Sequence, residues 1–530
     1  MIFKKIIASL LLISMVIAMA ACSALVPTHP TITESSIEET EPVISYTESS
    51  IEETEQLFSY ISFSDYMEEL NESRREMLAY SEDAFEGYDE YFPLDRTFND
   101  ILTEEEIKSL KTEKECDLFT RISLEEAKRD VDVYIRALKY GYGGYLYFGG
   151  DEKFEKVRQE LYTALDSMES VYVFTLYRML VDSFSFVDDS HFTINSTVPS
   201  PNLTGSYQYY YTDEIYFSLD DNGYYTIIND EKWYYDQSFD DSVQIKCVLD
   251  SNGNLVYSPI RFSKLNGVLV ASSILLKNGE KIKYKSILWK KSENFGSTSD
   301  TGYHSYAMNK DIAYVTIREF PGSNSVEQLG FLYSGVEARN AKAVIIDLRS
   351  NSGGSVSHKE WVKNFKAIHA FNNKSAEGTL ATLFTNKRMK YGKEYLSRSV
   401  IDRCDQIPND TPVFLLVDRN TASAAEMFLA ELQVMENVMI VGATTSGCVI
   451  CGGVKNYYLP NSGIRIRFGC QLYFFYDMTN IDTIGFEPDV WCDPKYSLTY
   501  VLKLIENEEL VSKEEIDALR NALKEYGIEK

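Results

Sequence analysis

Two apolar runs, each ending in a polar turn, set the tightest limit on what this chain can fold into. Ala343-Val-Ile-Ile346 leads into Asp347-Leu-Arg-Ser-Asn-Ser-Gly-Gly354, and Val413-Phe-Leu-Leu-Val417 leads into Thr421-Ala-Ser-Ala-Ala-Glu426. Runs this short and this continuously apolar fit strands buried on both faces. From about Tyr306 to Pro494 such runs alternate with helical segments, which predicts an α/β core, a parallel or mixed sheet with covering helices. On one such unit the two turns would bring a Ser hydroxyl and a pair of glycine amides to the same sheet edge, the minimum equipment for acyl transfer.

A chain of 530 residues is too long for one ordinary domain. Its formal charge of −28 argues against nucleic acid and against anionic lipid as partners. Lys4-Lys5 followed by the apolar run Ile6–Ala18 reads as a signal peptide, being too short to span a bilayer. The next residues, Met19-Ala20-Ala21-Cys22, resemble a bacterial lipobox, which implies cleavage before Cys22 and lipidation of its thiol. The expected placement is the outer face of a bacterial cell membrane, held by that lipid anchor only. Residues 23–56 are rich in Ser, Thr, Glu and Pro with few large apolar residues, and Thr33–Glu41 recurs letter for letter at Thr47–Glu55. Such a segment buries too little apolar surface to fold and reads as an acidic stalk.

The expected organisation is a leader over 1–21, a linker over 22–57 and a helical domain over 58–195. A β-rich domain over 205–303, the α/β core over 304–497 and C-terminal helices over 498–530 complete it. Ser123-Leu-Glu-Glu126 is a capping box opening a helix to about Tyr140. Further helices fit Glu152–Met168 and Val171–Phe186, with a Gly-rich connector at Gly141–Gly150. Over 205–300, Tyr, Ile and Val alternate with polar residues, and Asp221-Asn-Gly223, Ser251-Asn-Gly253 and Asn278-Gly279 mark hairpins. Ser512-Lys-Glu-Glu515 opens a last helix to about Tyr526.

Ser423 has two compatible readings. Ser-Ala-Ala-Glu is itself a capping box, with Glu426 three residues on. A Ser at that helix start also sits at the positive end of the macrodipole, with the Ala424 amide placed for an oxyanion. Gly353 and Gly354 read either as a turn requiring positive φ or as bare backbone offering the second oxyanion amide. A Ser alcohol needs a base. Of the five histidines, His29 lies in the stalk, His191 follows Asp188-Asp189-Ser190, and His358 is a competing base four residues past the glycines. Removing Cys22 leaves seven cysteines, an odd number, so they do not close into a complete disulfide set. Cys448-Val-Ile-Cys451 reads as plain thiols, a local disulfide or half a metal site with Cys470 and Cys492. No metal or cofactor is required by the chemistry.

In that order, Asp347-Leu-Arg-x-Asn-x-Gly-Gly354, Ala422-Ser-Ala-Ala-Glu426, Val441-Gly442 with Thr445-x-Gly447, and Gly485-Phe-Glu-Pro-Asp489 make residues 306–494 resemble a known catalytic core. It is that of the C-terminal processing (tail-specific) peptidases and the tricorn core peptidases. The resemblance implies a crotonase/Clp-like fold, Ser423 as nucleophile, and a peptide or unfolded protein as substrate. In the processing branch a Lys follows the Thr-x-Gly segment; here Cys448 stands there, and the nearest Lys is Lys455. The tricorn-like branch takes its base from a Ser-His pair before the core, which Ser190-His191 fits. Its orienting carboxylate would be Asp482 or Glu487. The implied mechanism has His191 take the Ser423 proton, with oxyanion amides from Ala424 and from Gly353 or Gly354. The missing Lys keeps open a catalytically inactive peptide- or ligand-binding surface lipoprotein on the same fold. Tyr abundance in the β-rich module suggests a carbohydrate-active protein, but no recognisable carboxylate pair accompanies it.

Overall fold

Six parallel strands carry the core, and their fixed register decides where the turns leave it. A computed structural model describes residues 58–525 except 80–83, 204–206, 265–270, 294, 296–302, 308–310, 323–325, 356–357, 368–373, 386–387, 403–404 and 476. The leader, Cys22 and the acidic stalk therefore lie outside the described residues. Among the described residues no helix is long and apolar enough to cross a membrane.

The segments Ile312–Ile317, Ala343–Asp347, Val413–Val417, Val438–Gly442, Val490–Trp491 and Val243–Leu249 run parallel as neighbours. Antiparallel strands extend this sheet to ten, with Tyr303–Ala307 at one edge and Leu255–Lys264, Tyr207–Tyr211 and Lys290–Lys291 at the other. Every residue of Ala343–Asp347 and Val413–Val417 is buried. Helices Val326–Ala338, His358–Lys366 and Ala424–Leu432 belong to one face, where Trp361, Phe365, Phe428 and Leu429 join the sheet's Val344, Ile346 and Leu415 in one core. The other face meets helices Phe63–Leu78, Ser497–Asn507 and Lys513–Glu525.

The helical region follows the sequence closely. Ser123 caps Leu124–Gly141 through a full capping box with Glu126, and helices Gly150–Asp166 and Val173–Ser183 follow. Its apolar face packs on Ile464, Ile466, Phe468, Leu472 and Phe474, so it shares a core with segments almost 300 residues further on. Two three-stranded sheets provide that surface. One holds Ser375–Ala381 between Tyr395–Ile401 and Gln471–Phe475; the other holds Arg465–Phe468 between Lys455–Tyr458 and Thr193–Ile194.

The three expected hairpins form, with Asp220 opposite Gly223, Asn278 opposite Lys281 and Leu249 opposite Leu255. Only part of the 205–303 segment makes its own five-stranded sheet; Tyr207–Tyr211, Val243–Leu249 and Leu255–Lys264 join the core sheet instead. The described residues form one compact unit.

Candidate active site

Parallel register brings both polar turns to the carboxyl edge of the sheet, since Asp347 is paired with Leu416 and Val417 with Gly442. The turns are then tied together. Thr421 Oγ1 donates to the Leu348 carbonyl at 2.9 Å, the Ala422 amide to the Asn351 carbonyl at 2.8 Å, and the Ser350 amide to Asp418 Oδ1 at 2.9 Å. Below them Asp347 is buried between Arg318 and Arg349, which hold its carboxyl well below the usual range against the effect of burial.

Ser423 opens helix Ala424–Leu432 at φ 57° and ψ −119°, a left-handed conformation that a side chain rarely adopts. Such strain costs about 1–3 kcal/mol. Each fully buried aliphatic side chain in the strand before it contributes about 1.5–3 kcal/mol, so the scaffold outweighs the strain several times over. Gly353 backs this corner at φ 108°, and a Cβ there would stand 2.8 Å from the Ser423 Cβ and 3.1 Å from the Ala424 nitrogen. Only glycine fits so close behind the serine.

Ser423, Ala424, Gly354 and His191 line one cavity of about 680 Å³, together with Ser352, Ser355, Lys359, Glu377 and Arg467. Neither the Gly354 nor the Ala424 amide donates a hydrogen bond among the described residues. The Gly353 amide, by contrast, donates to Asn351 Oδ1 at 2.8 Å, so of the two glycines it is Gly354 that presents a free N–H.

His191 sits where the chain leaves helix Val173–Ser183 for strand Thr193–Ile194. Its ring is buried, and Nδ1 has no hydrogen-bond partner among the described residues. Burial, and then the nearby charge of Arg467, push its pKa down to about 4. Asp482 does not supply the expected partner to Nδ1. Its carboxylate accepts from the backbone amides of Ser190 at 2.9 Å, Val449 at 2.6 Å and Ile450 at 3.0 Å, so it holds the backbone next to His191 rather than the imidazole. Glu487 is half exposed and pairs with Lys246. The Ser190 hydroxyl donates to the Gly447 carbonyl at 2.5 Å and ties the His191 loop to the turn after Thr445.

The competing bases are placed elsewhere. Lys455 Nζ donates to the Thr385 carbonyl at 3.0 Å. His358 is fully buried, its Nδ1 3.2 Å from Glu431 Oε2. Cys448 is a free thiol whose pKa burial pushes well above its usual value, so it offers no thiolate base. Cys451 and Cys492 are free thiols as well, so the alternative of a Cys448–Cys451 disulfide is not realised.

Two carboxylates that sequence reasoning passed over organise the site. Glu426, read only as a cap, accepts from four donors: the Ser423 and Cys448 amides at 2.9 Å, the Gly447 amide at 2.7 Å and Thr445 Oγ1 at 2.6 Å. Burial pushes its pKa up to about 7 against those donors. Asp189 accepts from the His191 amide and from Tyr142 Oη, both at 2.8 Å, and shares its buried surroundings with Asp482. Burial raises both of that pair. Three amide donors favour the ionised form at Asp482, which leaves Asp189 as the member that keeps the proton. The signal for Glu426 was visible in the capping pattern; its other three donors depend on tertiary contact with residues 445–448.

Residues 311–491 match the model of Peptidase family S41. The S41 segment thus takes in both turns, Ser423 and Asp482. The carboxy-terminal processing protease CtpA of Bacillus subtilis is 26% identical over 198 residues, 37% of this chain and 38% of that protein. The alignment thus spans well under half the length of this curated relative. Among solved structures, mature CPAF superposes with a TM-score of 0.39 at 13% identity, covering 73% of this chain and 98% of that one. The photosystem II D1 C-terminal processing protease superposes with a TM-score of 0.32 at 15% identity, covering 71% and 96%.

Proposed function

We propose that this chain is a serine peptidase that hydrolyses peptide bonds through an acyl-enzyme. The observation that carries the reading is the single cavity shared by a strained Ser423, the buried His191 and the free amides of Gly354 and Ala424. The S41 match supports the same class. Ser423 Oγ attacks the peptide carbonyl carbon while its proton passes to His191. The Gly354 and Ala424 amides stabilise the oxyanion. On collapse His191 returns the proton to the leaving amine, and water then cleaves the ester by the same route in reverse. Asp482 acts as a positioning residue, fixing the His191 loop through the Ser190 amide. Hydrolysis of an unfolded protein by the full chain, measured beside the Ser423 and His191 variants, tests the assignment.

The pH dependence of hydrolysis identifies the base. His191 must be neutral to accept a proton, and its pKa of about 4 keeps it so far below the ordinary value of 6.5. Activity per substrate, kcat/KM, should therefore hold down to an acid limb near pH 4. A limb above pH 6.5 would point to a different base.

The lipid anchor at Cys22 places the enzyme outside the cell in this reading. A mature chain purified from membranes should begin at Cys22 and carry the mass of a diacylglyceryl group. An intact N-terminus, or cleavage elsewhere without added mass, would remove the anchor.

A further inference from the structure

We propose that Arg467, assisted by Lys359, binds a carboxylate of the peptide substrate and makes this cavity selective for acidic sequence beside the scissile bond. The proposal rests on the peptidase reading of the cavity. Three charged side chains line it: Lys359, Glu377 and Arg467. Glu377 is already engaged, its Oε1 accepting from Gln471 Nε2 at 2.7 Å and from Thr379 Oγ1 at 3.4 Å. The Arg467 side chain is half-buried, and its guanidinium makes no hydrogen bond or ion pair with any described residue. Lys359 comes no closer than 3.9 Å to its nearest acid, Glu431. Two cations against one carboxylate give the cavity lining a net positive charge inside a chain with 80 acidic and 52 basic residues, and of the two cations Arg467 has no acid beside it among the described residues.

Its place in the fold aims Arg467 at the chemistry. Strand Arg465–Phe468 pairs Arg467 with Thr193, two residues past His191. Arg467 and His191 line the same cavity, and the Arg467 charge adds to burial in lowering the His191 pKa. Arg465, two positions earlier, is held by Ser196 and is not available in the same way. The Arg467 guanidinium is half-buried, and its five donors are open to the cavity and uncommitted to any described residue. A planar carboxylate answers it with paired, charge-assisted bonds. Neutral and basic substrates leave it unmatched, so the preference works by rejection as well as by attraction.

Four matched peptides test this with the full chain. They carry Glu or Gln next to the scissile bond, each with a free or an amidated C-terminus. Wild type should favour the carboxylate-bearing peptides by about tenfold or more in kcat/KM, as charge-assisted hydrogen bonds allow. A Glu-over-Gln ratio that survives amidation assigns the carboxylate to a side chain; an acid-over-amide ratio that survives Gln assigns it to the C-terminus. R467Q should bring the ratio close to one, R467K should recover part of it, and K359Q should reduce it. R467Q should also move the acid limb upward from about pH 4, which loss of structure alone would not do. Equal kcat/KM across the four peptides in wild type, or an unchanged ratio in R467Q, overturns the proposal. Anisotropy of the same labelled peptides on Ser423→Ala protein separates binding from chemistry. Acid-selective binding without turnover in wild type would sink the peptidase reading and keep this one; non-selective binding would sink this one.

Discussion

Ser423→Ala should lower hydrolysis by at least about a thousandfold, with His191→Ala matching it and Lys455→Ala retaining activity. Each expectation comes from placement. Ser423 and His191 face the same cavity, whereas the Lys455 ammonium is tied to the Thr385 carbonyl. Alanine at position 423 keeps the backbone corner and removes only the hydroxyl, so the melting temperature should change little. Because the two residues act as one unit, the double variant should be no worse than either single one. Comparable activity in Ser423→Ala would show that the hydrolysis belongs to another site or to a contaminant. Loss in Lys455→Ala with retention in His191→Ala would restore a lysine base.

Glu426 should be the most sensitive residue outside the reacting groups. It accepts from Ser423, Thr445, Gly447 and Cys448, and so joins the Ser423 corner to the loop that carries Cys448. Glu426→Ala leaves four donors unmatched, two of them buried and two partly buried. At about 1–3 kcal/mol per unsatisfied group the total approaches the whole stability of a domain, so this variant should express poorly. Glu426→Gln is the informative change. It keeps the shape, but its NH2 faces N–H donors where the carboxylate accepted. It should lower the melting temperature by several degrees and cut kcat/KM by about a hundredfold, as misplacement of a nucleophile does.

Burial raises the Glu426 pKa from 4.5 to about 7, so the contribution linked to its proton is whole below pH 4.5 and lost as pH rises through about 7. Glu426→Gln should remove that part of the stability-against-pH curve. Wild-type stability and activity in Glu426→Gln would mean that the four bonds do not organise the site.

The centre of the sheet was legible because its strands are continuous apolar runs: Ala343–Asp347 and Val413–Val417 lie where the runs predict. The helices at Ser123 and Ser512 were legible because their starts are written locally in side chains that satisfy the first amides. The three hairpins were legible for a similar reason, but the assignment of their strands to sheets was not. Val243–Leu249 joins the core through one parallel pairing of Val248 with Trp491, a contact between residues that nothing local announces.

The same division runs through the site. Order and residue type singled out Ser423, His191, Gly354 and Ala424 as candidates, and all four line one cavity. The roles of the carboxylates were not. Asp482 and Glu487 fit a triad by spacing, yet one is used by three backbone amides and the other by Lys246. Asp189 stands two residues from His191 in the sequence, but its importance depends on Tyr142 and on a second buried acid reached only through folding.

The most direct test of the account is covalent capture of the nucleophile. The full chain, its His191→Ala variant and its Lys455→Ala variant would be treated with a fluorophosphonate under reducing conditions, and the modified peptide identified by mass. The account predicts a single adduct on Ser423, formed at equal rates in wild type and Lys455→Ala and at least about a thousandfold more slowly in His191→Ala. No adduct in wild type, or an adduct on Ser423 that forms as fast without His191, would contradict it.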